Sequence, residues 1–241
     1  MIKSKLTNGG GTAAVSFDER TLMKTNLKHL TDGSNRTYAT SRNSNDLDFR
    51  FKVILLGDSK VGKSSIVRRI VDQTFNLKYS ETPFFDTVNK RLVINNEHHV
   101  LLQIFDTAGL DRYDSLSRSY FQGASGFMIV FDYQDKLTFQ NVRRWISNLK
   151  LRATVNDPTI IVLGNKHDSK SSKLQVSNQD VQDLITQEKG IIFFDTSART
   201  GLNLEEAVNT MCSKMIEKNE TNHPPKGHRI SRLSHMSRKG T

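Results

Sequence analysis

The chain has little cysteine and no long apolar run, and each absence excludes a class of protein. Only one of its 241 residues is cysteine, which excludes a disulfide framework and indicates a reducing compartment. No apolar stretch reaches the roughly 18 residues that a membrane-spanning helix needs. The N-terminus shows no apolar signal-peptide core, and Ile2 does not fit the myristoylation pattern. The sequence therefore predicts a cytoplasmic protein without a membrane span.

Acidic residues are absent from the last 21 residues. These contain five Lys or Arg, which is half of the chain's net charge of +10. Residues 1–48 are rich in Ser, Thr, Asn and Gly and have little apolar periodicity. We therefore predict three parts: a disordered polar extension (1–48), one folded domain (49–220) and a disordered basic tail (221–241). Cys212 lies among apolar residues at helical spacing, so we predict that it belongs to the core.

Apolar patterns in the central part predict an alternation of strands and helices. The predicted strands are 51–56, 90–95, 99–105, 126–132, 159–164 and 191–195. The predicted helices are 63–72, 114–121, 138–151, 178–188 and 204–217. This order favours an α/β fold with a doubly wound, six-stranded and mostly parallel sheet, with helices on both faces. The second and third strands should form a hairpin that turns near residues 95–97.

A glycine-rich loop separates the first predicted strand from the first predicted helix. Its pattern, Gly57-Asp-Ser-Lys-Val-Gly-Lys-Ser64, is typical of a phosphate-binding loop in this strand–loop–helix context. Gly57 and Gly62 allow the backbone to fold tightly round phosphate oxygens, and the helix start adds its positive dipole end. Lys63 should reach the β- and γ-phosphates, and the Ser64 hydroxyl should bind Mg²⁺. The predicted phosphate contacts are Gly57, Asp58, Ser59, Lys60, Val61, Gly62, Lys63, Ser64 and Ser65.

Two later motifs indicate which nucleotide binds. Asn165-Lys166-His167-Asp168 follows an apolar strand, and the Asp168 carboxylate can accept two hydrogen bonds side by side. Guanine offers such a pair from N1–H and its amine, whereas adenine does not. Asn165 can bond the base edge, and the Lys166 stem can lie over the purine. Thr196-Ser197-Ala198-Arg199 follows the next strand and should offer a backbone N–H to the guanine carbonyl.

With these motifs, the chain resembles the Ras superfamily of small GTPases, and the Rab branch in particular, from about Phe49 to Lys218. The resemblance implies the Ras-type P-loop fold, GTP or GDP as ligand and Mg²⁺ as cofactor. It implies that Phe75 leans on the base, that Tyr79 covers the phosphates and that Thr82 binds Mg²⁺ and the γ-phosphate. Asp106 would hold Mg²⁺ through water, and the Gly109 N–H would contact the γ-phosphate. The catalytic residues implied are Lys63, Thr82 and Gly109, and the guanine contacts are Phe75, Asn165, Lys166, Asp168, Ser197, Ala198 and Arg199.

Two departures from the family affect the nucleotide site. Leu110 follows Asp106-Thr-Ala-Gly109, where the family usually has the Gln that orients the attacking water. Leucine has no donor or acceptor, so we expect slow hydrolysis unless another side chain substitutes; whether Leu110 is natural or engineered stays open. Lys60 stands where Rab loops have Gly, and it either approaches the phosphates or faces solvent, the reading that we favour. A positive φ there would strain the backbone.

Two further departures affect partners. Pro83-Phe84-Phe85-Asp86-Thr87 and Phe105 differ from the usual Rab residues, so the effectors of ordinary Rab proteins cannot be carried over. Effectors should still bind through residues 79–87 and 105–120. The chain ends in Ser237-Arg-Lys-Gly-Thr241, where Rab proteins usually have prenylated cysteines, so we expect no lipid anchor. The basic tail 221–241 could then rest weakly on anionic membrane, on the cytosolic face, or remain solvated.

The sequence thus favours a Rab-like small GTPase, a slow GTP/GDP switch in intracellular vesicle transport or signalling. The alternative is a pseudo-GTPase scaffold that binds nucleotide without useful hydrolysis, or binds none, which Leu110 and Lys60 favour. The intact Asn165–Asp168 motif argues against loss of binding and against an ATP-using enzyme. The tail lacks the aromatic residues that stack on bases, which argues against nucleic-acid binding.

Overall fold

In the part of the chain that the structure describes, six strands form a single sheet with the order β2-β3-β1-β4-β5-β6. The structure is a computed structural model, and it describes residues 47–76, 86–107 and 118–222. Among the described strands, only the β2–β3 pair is antiparallel, and the four other pairs are parallel. The predicted α/β fold with a mostly parallel sheet is therefore confirmed. The strands are β1 (Phe49–Leu56), β2 (Asp86–Ile94), β3 (His98–Asp106), β4 (Ala124–Asp132), β5 (Thr159–Asn165) and β6 (Ile191–Asp195).

Helices alternate with the strands, as the sequence predicted, and a short 3₁₀ turn (Ser171–Lys173), which was not predicted, follows β5. The described helices are α1 (Lys63–Asp72), α2 (Arg118–Phe121), α3 (Lys136–Gln140), α4 (Val142–Arg152), α5 (Asn178–Gln187) and α6 (Leu204–Asn222). The last helix continues five residues beyond its predicted end. Its final two residues belong to the segment that was predicted as disordered tail, whereas residues 223–241 and 1–46 lie outside the described ranges.

The predicted helix 138–151 is instead two helices, which meet at Asn141. The Asp135 carboxylate caps the first of them by accepting a hydrogen bond from the Leu137 N–H. Asn141 donates from its side chain to the Asp58 carboxylate at 2.7 Å, which holds the junction against the loop after β1. This long-range bond has no counterpart in the apolar periodicity that predicted one continuous helix.

The β2–β3 hairpin turns where the sequence placed it. Asn95 and Asn96 have φ values of 54° and 58°, the left-handed conformation that both central residues of a type I′ turn adopt. The Glu97 N–H donates to the Ile94 carbonyl at 3.1 Å and closes the turn. β2 starts at Asp86, four residues before its predicted start, because Asp86 pairs with Asp106 at the end of β3.

Two apolar cores lie on opposite faces of the sheet. The first contains the apolar faces of α1 and α6, and the second contains those of α3, α4 and α5. Cys212 is fully buried in the first core, and burial raises the pKa of its thiol to about 12, in agreement with the predicted core position. No helix within the described residues is both long enough and apolar enough to cross a bilayer.

Candidate functional site

The loop Gly57–Ser64, called the phosphate loop below, connects β1 to α1 and wraps round the Lys63 ammonium group. Lys63 Nζ donates to the carbonyls of Gly57 and Asp58 at 2.8 and 2.7 Å, and the residue is only 5% exposed. Gly57 and Gly62 have φ values of 137° and 102°, which only glycine adopts readily. A Cβ on Gly57 would lie 2.2 Å from the Val130 carbonyl oxygen. The backbone thus takes the tight course that the sequence predicted.

The Asp58 side chain points away from the loop and into the α3–α4 junction. Its two carboxylate oxygens accept hydrogen bonds from Asn141 Nδ2 at 2.7 Å and from Trp145 Nε1 at 2.9 Å. Asp58 was predicted as a phosphate contact. The structure shows that its carboxylate instead anchors the phosphate loop to Asn141 and Trp145. Sequence reasoning missed both partners; the available signal was Trp145, the only tryptophan in the chain, on an apolar helix face.

Lys60, at the tip of the phosphate loop, is exposed and has a φ of 62°. Its carbonyl accepts a hydrogen bond from Lys166 Nζ at 3.0 Å, and the same ammonium lies 2.5 Å from Asp132 Oδ2. From the sequence, we expected backbone strain at Lys60 if its φ were positive. The φ is positive, so a non-glycine residue occupies left-handed backbone here. Lys166 connects the tip of the loop to the ends of β4 and β5.

Lys60→Gly should raise the free energy of unfolding by about 0.5–1 kcal/mol. Left-handed backbone costs a side chain about 1–2 kcal/mol, and the extra freedom of glycine in the unfolded chain offsets about 0.4–1 kcal/mol. Urea denaturation measures the change. Gln73→Gly is the matched control, because Gln73 has a similar φ of 55° at the end of α1. A gain at Gln73 with a loss at Lys60 would contradict the strain at Lys60.

Asn165 joins the phosphate loop to the loop Thr196–Arg199, called the 196–199 loop below. The residue is 1% exposed; its Nδ2 donates to the Val61 carbonyl at 2.8 Å, and its Oδ1 accepts from the Ala198 N–H at 3.0 Å. The sequence predicted a contact with the base edge. The structure shows that this side chain links the loop after β1 to the loop after β6, and that the Ala198 N–H bonds within the protein.

The Asp168 carboxylate is held by two side chains of the 196–199 loop. Its Oδ1 accepts from Ser197 Oγ at 2.7 Å, and its Oδ2 lies 3.5 Å from Arg199 Nη1. Because an ionised carboxylate has about four lone-pair sites, both oxygens retain capacity for further donors. The structure therefore brings Asn165, Lys166, Asp168, Ser197, Ala198 and Arg199 together, as the sequence predicted for a guanine site.

Asp106, at the end of β3, is the residue whose chemistry fits a metal ion. It is 3% exposed, and its Oδ1 is buried and has no hydrogen-bond partner within the described residues. Burial raises the pKa of this carboxyl group, while a hydrogen bond with Ser64 and the charge of Lys63 act in the opposite direction. No cluster of three or more His, Cys, Asp or Glu occurs in the part of the chain that the structure describes. Mg²⁺ takes one or two carboxylates and keeps waters or phosphate oxygens as its other ligands.

The remaining predicted contacts divide into two groups. Ser59, Val61 and Ser65 lie in or directly after the phosphate loop, and Phe75 is half-buried against the first core. The residues predicted for γ-phosphate binding and hydrolysis lie outside the described ranges: Tyr79, Thr82, Gly109 and Leu110.

Comparison with known proteins identifies the family. A sequence model of the Ras family matches residues 52–217. Human Ras-related protein Rab-27B is 36% identical over 184 residues, which cover 73% of this chain and 84% of that protein. Canine Rab-27A is 35% identical over 184 residues, covering 73% and 82%. Ras-related protein RABE1d of Arabidopsis thaliana is 34% identical over 197 residues, covering 80% and 90%. The chain belongs to the Ras family of small GTPases and lies close to its Rab branch.

Proposed function

We propose that this protein is a guanine-nucleotide switch that binds GTP and GDP with Mg²⁺, hydrolyses GTP slowly and acts in Rab-like vesicle transport. The observation that carries nucleotide binding is the Asn165 side chain, which bonds both Val61 in the phosphate loop and Ala198 beside Asp168. One buried amide thus sets the separation of the phosphate and base subsites. The transport role rests on the position of the chain near the Rab branch.

The residues of the site divide the binding of a nucleotide between them. The phosphate loop and the start of α1 present backbone N–H groups and Lys63 to the phosphates. Ser64 and Asp106, with Thr82 by resemblance, would hold Mg²⁺, which neutralises negative charge on the β- and γ-phosphates. At the other end, Asp168 would accept from guanine N1–H and the amine, while the stem of Lys166 would cover the purine.

Nucleotide content after purification tests this proposal. Nucleotide released from the denatured protein should be GDP or GTP in near-stoichiometric amount, since affinity for both base and phosphates retains it. Adenine nucleotide in its place would contradict guanine recognition. Bound GTP that a single-turnover assay does not convert to GDP would favour the second candidate, a pseudo-GTPase scaffold, to which Leu110 points.

Leu110→Gln should raise the intrinsic rate of GTP hydrolysis by about 10-fold or more, because an amide can orient the attacking water. A single-turnover assay with preloaded GTP measures the rate. Leu137→Gln is the matched control: Leu137 is 63% exposed on α3, and its substitution makes the same chemical change away from the nucleotide site. An unchanged rate in Leu110→Gln would show that the leucine does not limit hydrolysis.

Effector binding is proposed for residues 79–87 and 105–120. The described part of this surface contains Phe105, whose ring meets Tyr120 edge to face at 6.0 Å. Lys52 Nζ lies 4.5 Å from the centre of the Phe105 ring and donates to the Tyr120 carbonyl at 2.7 Å. The rings of Phe105 and Tyr120 are partly buried against the second core, and Phe105 stands where Rab proteins usually have tryptophan.

The basic tail is proposed to give weak attachment to anionic membrane. Five basic residues at about 1 kcal/mol each favour a salt-sensitive contact. The full chain should sediment with anionic liposomes at low salt and less at high salt, and removal of residues 223–241, which spares α6, should abolish it. Equal sedimentation of the full and truncated proteins would contradict a role for the tail.

A further inference from the structure

Arg69, in the last turn of α1, connects that helix to the 196–199 loop. Its Nε donates to the Ala198 carbonyl at 2.9 Å, and its Nη2 donates to the Arg199 carbonyl. Its Nη1 donates to the Gln73 carbonyl at 2.7 Å. One guanidinium group therefore binds three backbone carbonyls, two of them in the loop that holds Asp168.

These bonds complete the support of the 196–199 loop. Asn165 Oδ1 binds the Ala198 N–H from one side, and Arg69 binds the Ala198 carbonyl from the other. The same loop supplies Ser197 Oγ and Arg199 Nη1 to the Asp168 carboxylate. The position of Asp168 thus depends on Ser197 and Arg199. Arg69 bonds the carbonyl of Arg199 itself and the carbonyl of Ala198, the residue next to Ser197.

The geometry requires arginine rather than any cation. The guanidinium is planar and carries five N–H donors in a rigid fork, so that it can reach carbonyls from both α1 and the loop at once. A lysine ammonium is a single point on a flexible stem and cannot span the same carbonyls. The cation also lies at the C-terminal end of α1, where the helix dipole favours positive charge.

We propose that Arg69 is a positioning residue for guanine recognition: it holds the 196–199 loop so that Asp168 faces the N1–H and amine of the base. The proposal rests on the proposed binding of guanine nucleotides. Without Arg69, the carbonyls of Ala198 and Arg199 lose these donors, so that the backbone beside Ser197 and at Arg199, whose side chains contact Asp168, is held less firmly. Guanine contacts should then weaken more than phosphate contacts, which come from the separate loop 57–64.

Release rates of GDP and inosine diphosphate test this directly, because inosine lacks only the 2-amino group. Arg69→Ala should release GDP about 10-fold faster or more, the scale of one charge-assisted hydrogen bond. The preference for GDP over inosine diphosphate should fall several-fold. Arg69→Lys should give intermediate values. Arg143→Ala is the matched control, since Arg143 donates to Gln187 on another face, at 2.8 Å, and should change neither rate.

The outcomes distinguish the role of Arg69 from the proposed binding of guanine nucleotides. GDP release at the rate of the unmodified protein, or equal acceleration for both nucleotides, would overturn the role of Arg69 in reading the base. Failure of the unmodified protein to bind GDP would overturn the proposed function instead. If Arg69→Ala does not fold, Arg69→Lys carries the test, and an unchanged preference in that variant would overturn the proposal.

Discussion

Asp168→Ala is expected to weaken GDP binding by a factor of about 10²–10⁴, and inosine diphosphate binding by much less. The Asp168 carboxylate would accept two hydrogen bonds from guanine, each contributing about 1.5–3 kcal/mol because the acceptor is charged. Inosine keeps N1–H and lacks the amine, so that the substitution removes only one of these bonds, a factor of about 10–10². The unequal loss requires the carboxylate to face the amine, and its orientation is held by Ser197 and Arg199.

Equilibrium titration with both nucleotides measures this difference. Asp183→Ala is the matched control, because Asp183 is an exposed carboxylate on α5 that accepts a hydrogen bond from Gln179 Nε2 at 2.8 Å; its loss should alter neither affinity. Equal losses for GDP and inosine diphosphate in Asp168→Ala would show that Asp168 supports the site without reading the amine.

The parts of the site that lie within a single motif could be predicted from sequence, because their geometry is local. The strand–loop–helix pattern placed Lys63 and the two loop glycines, and the motif at the end of β5 placed Asn165 and Asp168. The hairpin at 95–97 was equally local, since two asparagines adopt the left-handed backbone of the turn. Periodicity and turn chemistry report on neighbours along the chain, and these features need little else.

The supports of the site could not be predicted, because they join residues far apart in sequence. Asp58 bonds Asn141 and Trp145, and Arg69 bonds the carbonyls of Ala198 and Arg199. From the sequence alone, each of these side chains looks like an ordinary residue of a loop or of a half-buried helix face. The break between α3 and α4 has the same explanation. The apolar pattern runs on through Asn141, but Asn141 bonds Asp58 in the phosphate loop, far away in sequence. Such contacts depend on the fold that brings the strand ends together.

Gly62→Ala should lower the free energy of unfolding by about 3 kcal/mol or more, from backbone strain and the loss of buried hydrogen bonds. Gly62 has a φ of 102°, and a Cβ there would lie 2.4 Å from Asn165 Nδ2. Asn165 cannot move aside freely, because it is buried and its amide bonds Val61 and Ala198. The collision should therefore disturb both loops and also accelerate GDP release.

Gly123→Ala separates strain from collision. Gly123 also has a positive φ, 72°, but a Cβ there would meet no atom within 4 Å, so that only the strain of about 1–2 kcal/mol remains. Urea denaturation should rank the two variants in that order, and only Gly62→Ala should release GDP faster. A double-mutant cycle with Asn165→Ala isolates the contact, since the penalty at Gly62 should shrink towards that of Gly123 once the amide is gone. If the penalty at Gly62 stays the same without the Asn165 side chain, the collision is not its cause, and the φ of 102° alone accounts for the glycine.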